Sequence, residues 1–331
     1  MISDIQEIRR PIEEEFQAFE NLFELALSSP NQHLNQVLQY IHSKRGKQLR
    51  PMLVLLAAKI CRGITTKTTQ TAVALELLHT STLVHDDVVD NSPMRRGDKS
   101  VNERWTNKIA VLVGDYMLAQ VIQIITDIRN SKILSIVAEM GQALSSGELL
   151  QLHEGQSMFI SEEQYFRVIE QKTAKLFAAC MEAGAESCGA TQRQTSALKE
   201  FGLQLGICFQ LKDDILDYSD SEELGKPTMN DLRDGKATLP LLVAISRAPR
   251  NEVAEISTLA ELLASGSAQI NISDTEQTIK SFIMRYDGFT YAHKKMLAHK
   301  KKAVEALSLF HDSSAKDSLL QLLDYAINRI K

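Results

Sequence analysis

The chain has 331 residues and a formal net charge of −5, which argues against a general nucleic-acid-binding protein because such proteins are usually basic. Hydrophobic residues make up 44% and charged residues 24%, as in an ordinary globular protein with a large core. Glycine (15) and proline (7) are few, while Leu, Ala, Glu, Lys, Gln and Ile dominate, so the composition favours helices.

The hydrophobic pattern predicts helix after helix, without the alternation that indicates strands. Pro11 and Pro51 stand where helices would begin, at first-turn positions. Helices are predicted over residues 11–27, 33–42, 51–61, 67–90, 108–128, 132–157, 162–189 and 192–218, with polar loops over 91–100 and 220–235 and later breaks near 249–251 and 266–274. No linker or short repeat divides the chain, so we expect one all-α domain over residues 1–331.

Cysteine usage and the chain termini predict a cytoplasmic protein. The four cysteines, scattered without a CxxC pair, are interpreted as buried free thiols in a reducing compartment. We find no signal-peptide core in residues 1–10, no C-terminal lipidation motif and no apolar run approaching the roughly 20 residues that span a bilayer. A lysine-rich stretch over residues 293–302 is interpreted as the solvated face of a late helix instead of a binding patch.

One acidic pattern, DDxxD, occurs twice at the ends of long apolar helices. Its residues are Asp86, Asp87 and Asp90 in the first copy and Asp213, Asp214 and Asp217 in the second. On a helix these spacings place three negative charges on about one side of one turn. A single copy more often marks a solvated face, but two copies in apolar settings predict a cation among the carboxylates. Mg²⁺ fits because it prefers carboxylate oxygens and keeps positions for water and substrate phosphates.

Basic residues lie beside both acidic motifs and in glycine-bearing loops. Arg binds phosphate through forked hydrogen bonds and Lys binds it as a mobile charge. Each of these residues alone is more readily explained as a surface charge, but together they predict diphosphate binding. The set contains Lys47, Arg50, His79, Arg95, Arg96, Lys172, Lys226 and Lys236.

A series of segments in chain order is more specific than either motif alone. They are Gly46-Lys47-x-Leu49-Arg50-Pro51, Leu78-His79-Thr80, Leu83-Val84-His85-Asp86-Asp87-x-x-Asp90 with Arg95-Arg96-Gly97, Gly114-Asp115-Tyr116, Lys172-Thr173, Phe209-Gln210-x-x-Asp213-Asp214-x-x-Asp217, Gly225-Lys226-Pro227-x-x-Asn230-Asp231 and Gly235-Lys236-x-Thr238-x-Pro240. Through them nearly the whole chain resembles the all-trans isoprenyl diphosphate synthases, the polyprenyl synthetase family. Asp287-Gly288 departs from it where a glycine pair is expected, which leaves the last helices loosely assigned.

The resemblance implies an isoprenoid-synthase-type helical bundle with a central cavity, and a Mg²⁺-dependent prenyltransferase with about three Mg²⁺ per active site. The six aspartates would hold the metal, with Asp214 and Asp217 in support. An allylic diphosphate would bind Arg95, Lys172, Thr173, Gln210, Lys226 and Lys236, whereas isopentenyl diphosphate would bind Lys47, Arg50, His79 and Arg96. The allylic substrate would ionise with release of pyrophosphate, the isopentenyl double bond would attack the allylic cation, and a proton would then pass to the released pyrophosphate; Thr173 and Gln210 would offer oxygen dipoles to the cation.

The product tail requires an apolar tunnel. Ser81 and Thr82 precede Asp86 by five and four residues, roughly 6 to 8 Å deeper along the helix. Short-chain members of the family carry a bulky aromatic at these depths, so two small residues predict a long all-trans product of about six to eight isoprene units (about C30–C40), with a quinone side chain as its use. The floor of the tunnel is assigned to Met117, Leu118 or Val121.

The sequence is also compatible with several alternative functions. A shorter-chain farnesyl or geranylgeranyl synthase and one subunit of a hetero-oligomeric synthase share the same motifs. A terpene cyclase is disfavoured by the second DDxxD, a di-iron bundle by the lack of a second ExxH, and a non-catalytic scaffold by the intact Asp and Lys positions. The resemblance also implies a homodimer, with residues 109–125 as interface or as a buried core helix, and at most peripheral membrane contact for product release.

Overall fold

The computed structural model describes residues 5–154, 158–219, 228–268 and 270–329, and the side chains of all of these except 151–154. The α-helices are α1 (Ile5–Arg9), α2 (Glu13–Ala26), α3 (Gln32–Ser43), α4 (Leu49–Cys61), α5 (Thr66–Val89), α6 (Val101–Arg104), α7 (Asn107–Ile128), α8 (Ser131–Glu154), α9 (Glu162–Ile169), α10 (Lys175–Ser187), α11 (Gln192–Asp217), α12 (Asn230–Arg233), α13 (Leu239–Arg247), α14 (Arg250–Ala264), α15 (Ile272–Arg285), α16 (Gly288–Ala306) and α17 (Ser314–Asn328). The predicted all-α class is confirmed, and the predicted helices appear with small shifts of their ends.

The bundle is organised around the two helices that carry the acidic motifs. Helix α5 packs against α7 and α4, and α11 packs against α10 and α16. Thr65 and Thr191 cap the N-termini of α5 and α11 through reciprocal capping boxes, which fixes where each helix begins. Because α5 ends at Val89 and α11 ends at Asp217, each acidic motif lies in the last turn of its helix. One cluster of buried apolar side chains extends from Ile8 to Ile327, as a single domain requires.

A π-helical turn over Glu170–Ala174 joins α9 to α10. It contains Lys172 and Thr173, and such turns inside α-helices occur frequently at functional sites. Gly206 of α11 faces this turn closely, because a Cβ added there would lie 2.5 Å from the Cα of Ala174. The sequence predicted one regular helix over residues 162–189; the structure confirms the helical path and adds the irregular turn.

Three expectations from the sequence are wrong. The predicted loop over residues 220–235, of which 220–227 lie outside the described residues, contains the short helix α12. The predicted loop over residues 91–100 contains a two-stranded hairpin, β1 (Met94–Arg95) and β2 (Asp98–Lys99), whose strands are too short for an alternating pattern. Arg96 and Gly97 form its turn with positive φ angles of 54° and 81°, a conformation that two-residue hairpins favour. The expectation that no apolar segment is long enough to span a bilayer is also wrong. Helix α7 meets that requirement by length and composition alone, and 33% of its most apolar stretch is buried.

Candidate active site

The acidic residues lie at helix C-termini, where the backbone itself carries partial negative charge. Asp90 is the C-cap of α5, and Asp217 is the last residue of α11. The helix dipole therefore adds to the repulsion among the carboxylates instead of offsetting it. This placement destabilises the protein unless cations lie nearby, so it indicates a binding site and not a structural cluster.

An arginine from the hairpin forms hydrogen bonds with the first motif. Asp87 is only 3% exposed, and its carboxylate accepts hydrogen bonds from the Arg95 guanidinium. The bond from Arg95 Nε to Asp87 Oδ1 is 2.9 Å long. Burial raises the pKa of the Asp87 carboxyl, and Arg95 opposes this shift. Asp86 is half-buried, and burial together with the nearby Glu148 carboxylate raises its pKa to about 6. Asp90 is exposed.

The second motif is engaged by protein groups on all three carboxylates. Asp217 accepts hydrogen bonds from the backbone N–H groups of Asn230 and Asp231, at 2.9 and 3.1 Å. Asp213 pairs with Arg329 at 2.7 Å. Asp214 is 2% exposed and accepts hydrogen bonds from Tyr165 and from Gln210. Burial, reinforced by the Asp231 carboxylate, raises the pKa of Asp214 well above its ordinary value.

A cavity of about 180 Å³ lies beside the second motif. Apolar side chains line part of it, and polar groups come from α9, the π-helical turn, α11, α12 and the segment after α12: Tyr165, Lys172, Thr173, Gln210, Asp214, Asp231, Lys236 and Thr238. Thr173 donates to Gln210 at 2.8 Å, and Gln210 donates in turn to Asp214 at 2.8 Å. Four of the residues predicted to meet the allylic substrate, Lys172, Thr173, Gln210 and Lys236, are thus brought together; Lys226 lies outside the described residues.

Glu148 of α8 links the cavity to the first motif. It pairs with Lys172 at 3.0 Å, and its charge acts on Asp86. The Glu148 Oε1 atom is buried and has no hydrogen-bond partner among the described residues. An unpaired buried carboxylate oxygen is costly in the absence of a ligand. Sequence reasoning missed this residue, because its relation to Asp86 and Lys172 depends on the packing of three separate helices.

The residues predicted for the second diphosphate form a separate cationic cluster. Burial and the charges of Arg50 and Arg96 hold the pKa of His79 well below its ordinary value. Glu76 is buried beside the two arginines and partly neutralises them, although burial raises its pKa. The Arg50 Nε and Glu76 Oε2 atoms are buried without hydrogen-bond partners among the described residues. Such a cluster is prepared for an anion, which would relieve the repulsion between the guanidinium groups.

A glycine and the last helix position the remaining basic groups. A Cβ added to Gly46 would lie 2.9 Å from the Arg96 guanidinium carbon, so the absence of a side chain there makes room for Arg96. Lys47 donates to the Tyr325 hydroxyl at 2.7 Å. Arg329, which pairs with Asp213, also lies over the Phe209 ring at 3.9 Å from its centre. No role for Tyr325 or Arg329 could be predicted, because contacts between chain segments this distant leave no local sequence pattern.

The carboxylates fit a hard cation in chemistry, while their geometry is not that of a formed metal site. In the described part of the chain, no three His, Cys, Asp or Glu side chains converge as metal ligands. The reason is that protein donors already engage four of the six carboxylates, those of Asp87, Asp213, Asp214 and Asp217. Within the described ranges the Asp86 and Asp90 side chains form no hydrogen bond or ion pair, so their oxygens remain available to a cation. The assignment of all six aspartates as metal-binding residues stays a prediction.

The predicted tunnel residues lie at the contact between α5 and α7, outside the lining of the cavity. Ser81 is fully buried and donates to the Gly114 carbonyl of α7 at 3.0 Å. Met117 and Val121 are buried, whereas Thr82 and Leu118 are half-buried. Their role in product length stays a prediction.

Comparison with known proteins identifies the family of the chain. The family model for polyprenyl synthetases matches residues 31–280. The octaprenyl diphosphate synthase of Escherichia coli (strain K12) is 35% identical over 304 residues, which are 92% of this chain and 92% of that protein.

Two solved structures share the fold over the full chain. A polyprenyl synthase from Caulobacter crescentus CB15, complexed with calcium and isoprenyl diphosphate, has a TM-score of 0.90 at 32% identity and covers 100% of this chain and 99% of its own. A geranylgeranyl pyrophosphate synthase from Bacteroides thetaiotaomicron has a TM-score of 0.83 at 39% identity and covers 98% and 99%. The fold and the site define a prenyltransferase that acts on isoprenyl diphosphates. The chain belongs to the polyprenyl synthetase family.

The raised carboxyl pKa values predict how Mg²⁺ stabilises the protein as pH changes. Burial raises the pKa of Asp86 to about 6 and that of Asp231 to about 7. Because the folded pKa values exceed the unfolded ones, these groups favour folding below the unfolded pKa, and that contribution is lost as pH rises through about 6 to 7. Mg²⁺ competes with the protons, so its stabilisation should grow over the same range, reaching about 2 to 3 kcal/mol at a hundredfold excess over Kd.

Thermal unfolding with and without Mg²⁺, at about pH 5 and about pH 8, measures this linkage. We expect the larger increase in Tm at the higher pH. Asp86→Asn should reduce that increase, whereas Asp127→Asn, an exposed substitution near the far end of α7, should leave it unchanged. An equal increase in Tm at both pH values would contradict the prediction.

Proposed function

We propose that this chain condenses isopentenyl diphosphate repeatedly with an allylic diphosphate in a Mg²⁺-dependent reaction, giving a long all-trans polyprenyl diphosphate of about six to eight isoprene units (about C30–C40). The observation that carries the proposal is the presence of two distinct cationic sets around the acidic motifs. One surrounds the cavity through Lys172 and Lys236, and the other joins Arg50, His79 and Arg96. An enzyme with a single diphosphate substrate would not need the second set.

The chain's own residues account for orientation and charge in this reaction. Lys172 and Lys236 would hold the allylic diphosphate at the polar end of the cavity, with its apolar tail directed away from the carboxylates. Mg²⁺ bound at the aspartates would supply the positive charge that stabilises a departing pyrophosphate. The bond from Thr173 to Gln210 and the bond from Gln210 to Asp214 fix both side chains, so their oxygen dipoles are available to an allylic cation.

The experiment is an assay of the purified chain with labelled isopentenyl diphosphate, farnesyl diphosphate and Mg²⁺. We expect elongation by the chain alone and a loss of about a hundredfold or more in kcat for Asp86→Asn, with Asp127→Asn as the matched control. Product formed only after addition of a second protein would favour a subunit of a hetero-oligomeric synthase. No product under either condition would overturn the proposal.

Product length tests the placement of the tunnel. Ser81→Phe should shorten the main product, because a phenyl group cannot keep the bond to Gly114 and must occupy space between α5 and α7. Ser81→Ala removes the same bond without adding volume, so it should leave the length unchanged. Chromatographic sizing of the dephosphorylated products separates these outcomes, and an unchanged length in Ser81→Phe would refute the placement. A main product of farnesyl or geranylgeranyl length from the unmodified chain would favour the shorter-chain alternative.

We also propose that the chain is a homodimer, with α7 at the interface. Its outward face exposes Val111, Leu112 and Ile122, two of them by 66%, while its other face packs on α5. A helix of such hydropathy with an uncovered apolar face is explained by a second copy. Leu112→Glu should convert the dimer to a monomer in analytical ultracentrifugation, whereas Leu25→Glu, at an equally exposed leucine of α2, should not; a monomeric unmodified chain would overturn this. We propose further that the protein is cytoplasmic and that its product becomes the side chain of a quinone.

A further inference from the structure

The outward face of α16 combines lysines with exposed aliphatic side chains. Lys294, Leu297, Lys301 and Val304 follow one another at spacings of three or four residues and lie on one stripe of the helix. All four are exposed, and Leu297 and Val304 are each exposed by 44%. The opposite side of the helix is buried against α11. We call this surface, together with Lys302, the lysine face.

The charge of this face is only partly neutralised by the protein. Helix α16 contains five lysines and a single acidic residue, Glu305; two of the lysines, Lys295 and Lys300, pair with carboxylates of α9 and α17 at 2.7 and 2.6 Å. Lys301 approaches Glu305 at 3.8 Å, but the two side chains are 81% and 63% exposed, so their interaction is weak. Within the described ranges, no carboxylate forms a salt bridge with Lys294 or Lys302. A concentration of positive charge on a chain of net charge −5 points to an anionic partner.

The face is separate from the cationic groups of the active site. Helix α16 runs antiparallel to α11, because Cys208 bonds to the Met296 carbonyl at 3.4 Å and Gln204 bonds to His299 at 2.6 Å. Residues 300–304 therefore lie towards the N-terminal half of α11, whereas the acidic motif of α11 lies at its other end. None of the residues of the lysine face lines the cavity beside that motif. The lysines are thus not needed to bind the substrates.

The mixture of groups favours a lipid surface over a nucleic acid. Lysines on a helix attract anionic headgroups, and aliphatic side chains beside them can enter the boundary between headgroups and acyl chains. A phosphate backbone alone would leave Leu297 and Val304 without a favourable contact. We propose that the lysine face docks the protein on a membrane surface rich in anionic phospholipid. The inference goes beyond the proposed reaction and does not depend on product length.

Sedimentation of the full-length chain with phosphatidylglycerol-containing vesicles tests the proposal, with pure phosphatidylcholine vesicles as reference. We expect binding to the anionic vesicles that weakens with added salt. The triple variant K294E/K301E/K302E should lower the partition coefficient by about tenfold or more, since each lysine near the surface contributes about a fivefold factor. The control R62E/K67E/R193E changes the net charge equally at exposed positions elsewhere and should have a much smaller effect.

Circular dichroism and the elongation assay without vesicles separate docking from folding and catalysis. Both should be unchanged in K294E/K301E/K302E, because these residues touch neither the cavity nor the core. Equal vesicle binding by the lysine-face and control variants would overturn the proposal, as would equal binding of the unmodified chain to anionic and neutral vesicles. Binding to single-stranded RNA but not to vesicles, lost in the lysine-face variant, would assign the face to nucleic acid and would equally overturn it.

Discussion

Electrostatic repulsion among carboxylates at the C-termini of α5 and α11 is the constraint on which the rest of the structure depends. The helix dipoles add negative charge at the positions of Asp86 to Asp90 and Asp213 to Asp217. The protein offsets it with donors from other elements: the hairpin supplies Arg95, the segment around α12 supplies backbone N–H groups, and Arg329 follows α17. These donors engage the carboxylates one by one, which explains why no three of them converge as metal ligands among the described residues.

Two features separate the two sets of cationic groups that we propose for the two substrates. The hairpin places consecutive arginines in opposite roles, since Arg95 bonds to Asp87 while Arg96 reaches the Lys44 carbonyl and the space beside Gly46. Glu76 then lies among the cations of the second set and limits their mutual repulsion. Among the described residues the buried Arg50 Nε–H group has no acceptor, so it can donate to an anionic ligand. A two-substrate condensation requires such a separation, because the substrates carry the same kind of headgroup but react at different carbons.

Local sequence patterns predicted what depends on neighbouring residues, and long-range packing determined the rest. The helices followed from apolar periodicity and from caps such as Thr65 and Thr191, and the Asp, Lys and Arg candidates followed from short motifs. Glu148, Tyr165 and Arg329 could not be predicted, because each meets the site from an element far away in the chain. The hairpin was missed because strands of two residues carry no alternation, and the apolar length of α7 was missed because polar residues interrupt it.

The π-helical turn between α9 and α10 fixes the rotational phase of two helices at once. One additional residue in this turn lets the side chains before and after it face different neighbours without a break in the backbone path. Deletion of a residue there would restore an ordinary helical turn, and the residues of the turn itself would lose their present positions. Lys172, which lies in the turn, would then be displaced from the cavity even though α10 kept its packing on α11. The segment therefore has a length that cannot drift by one residue, in contrast to surface loops, which tolerate insertion and deletion.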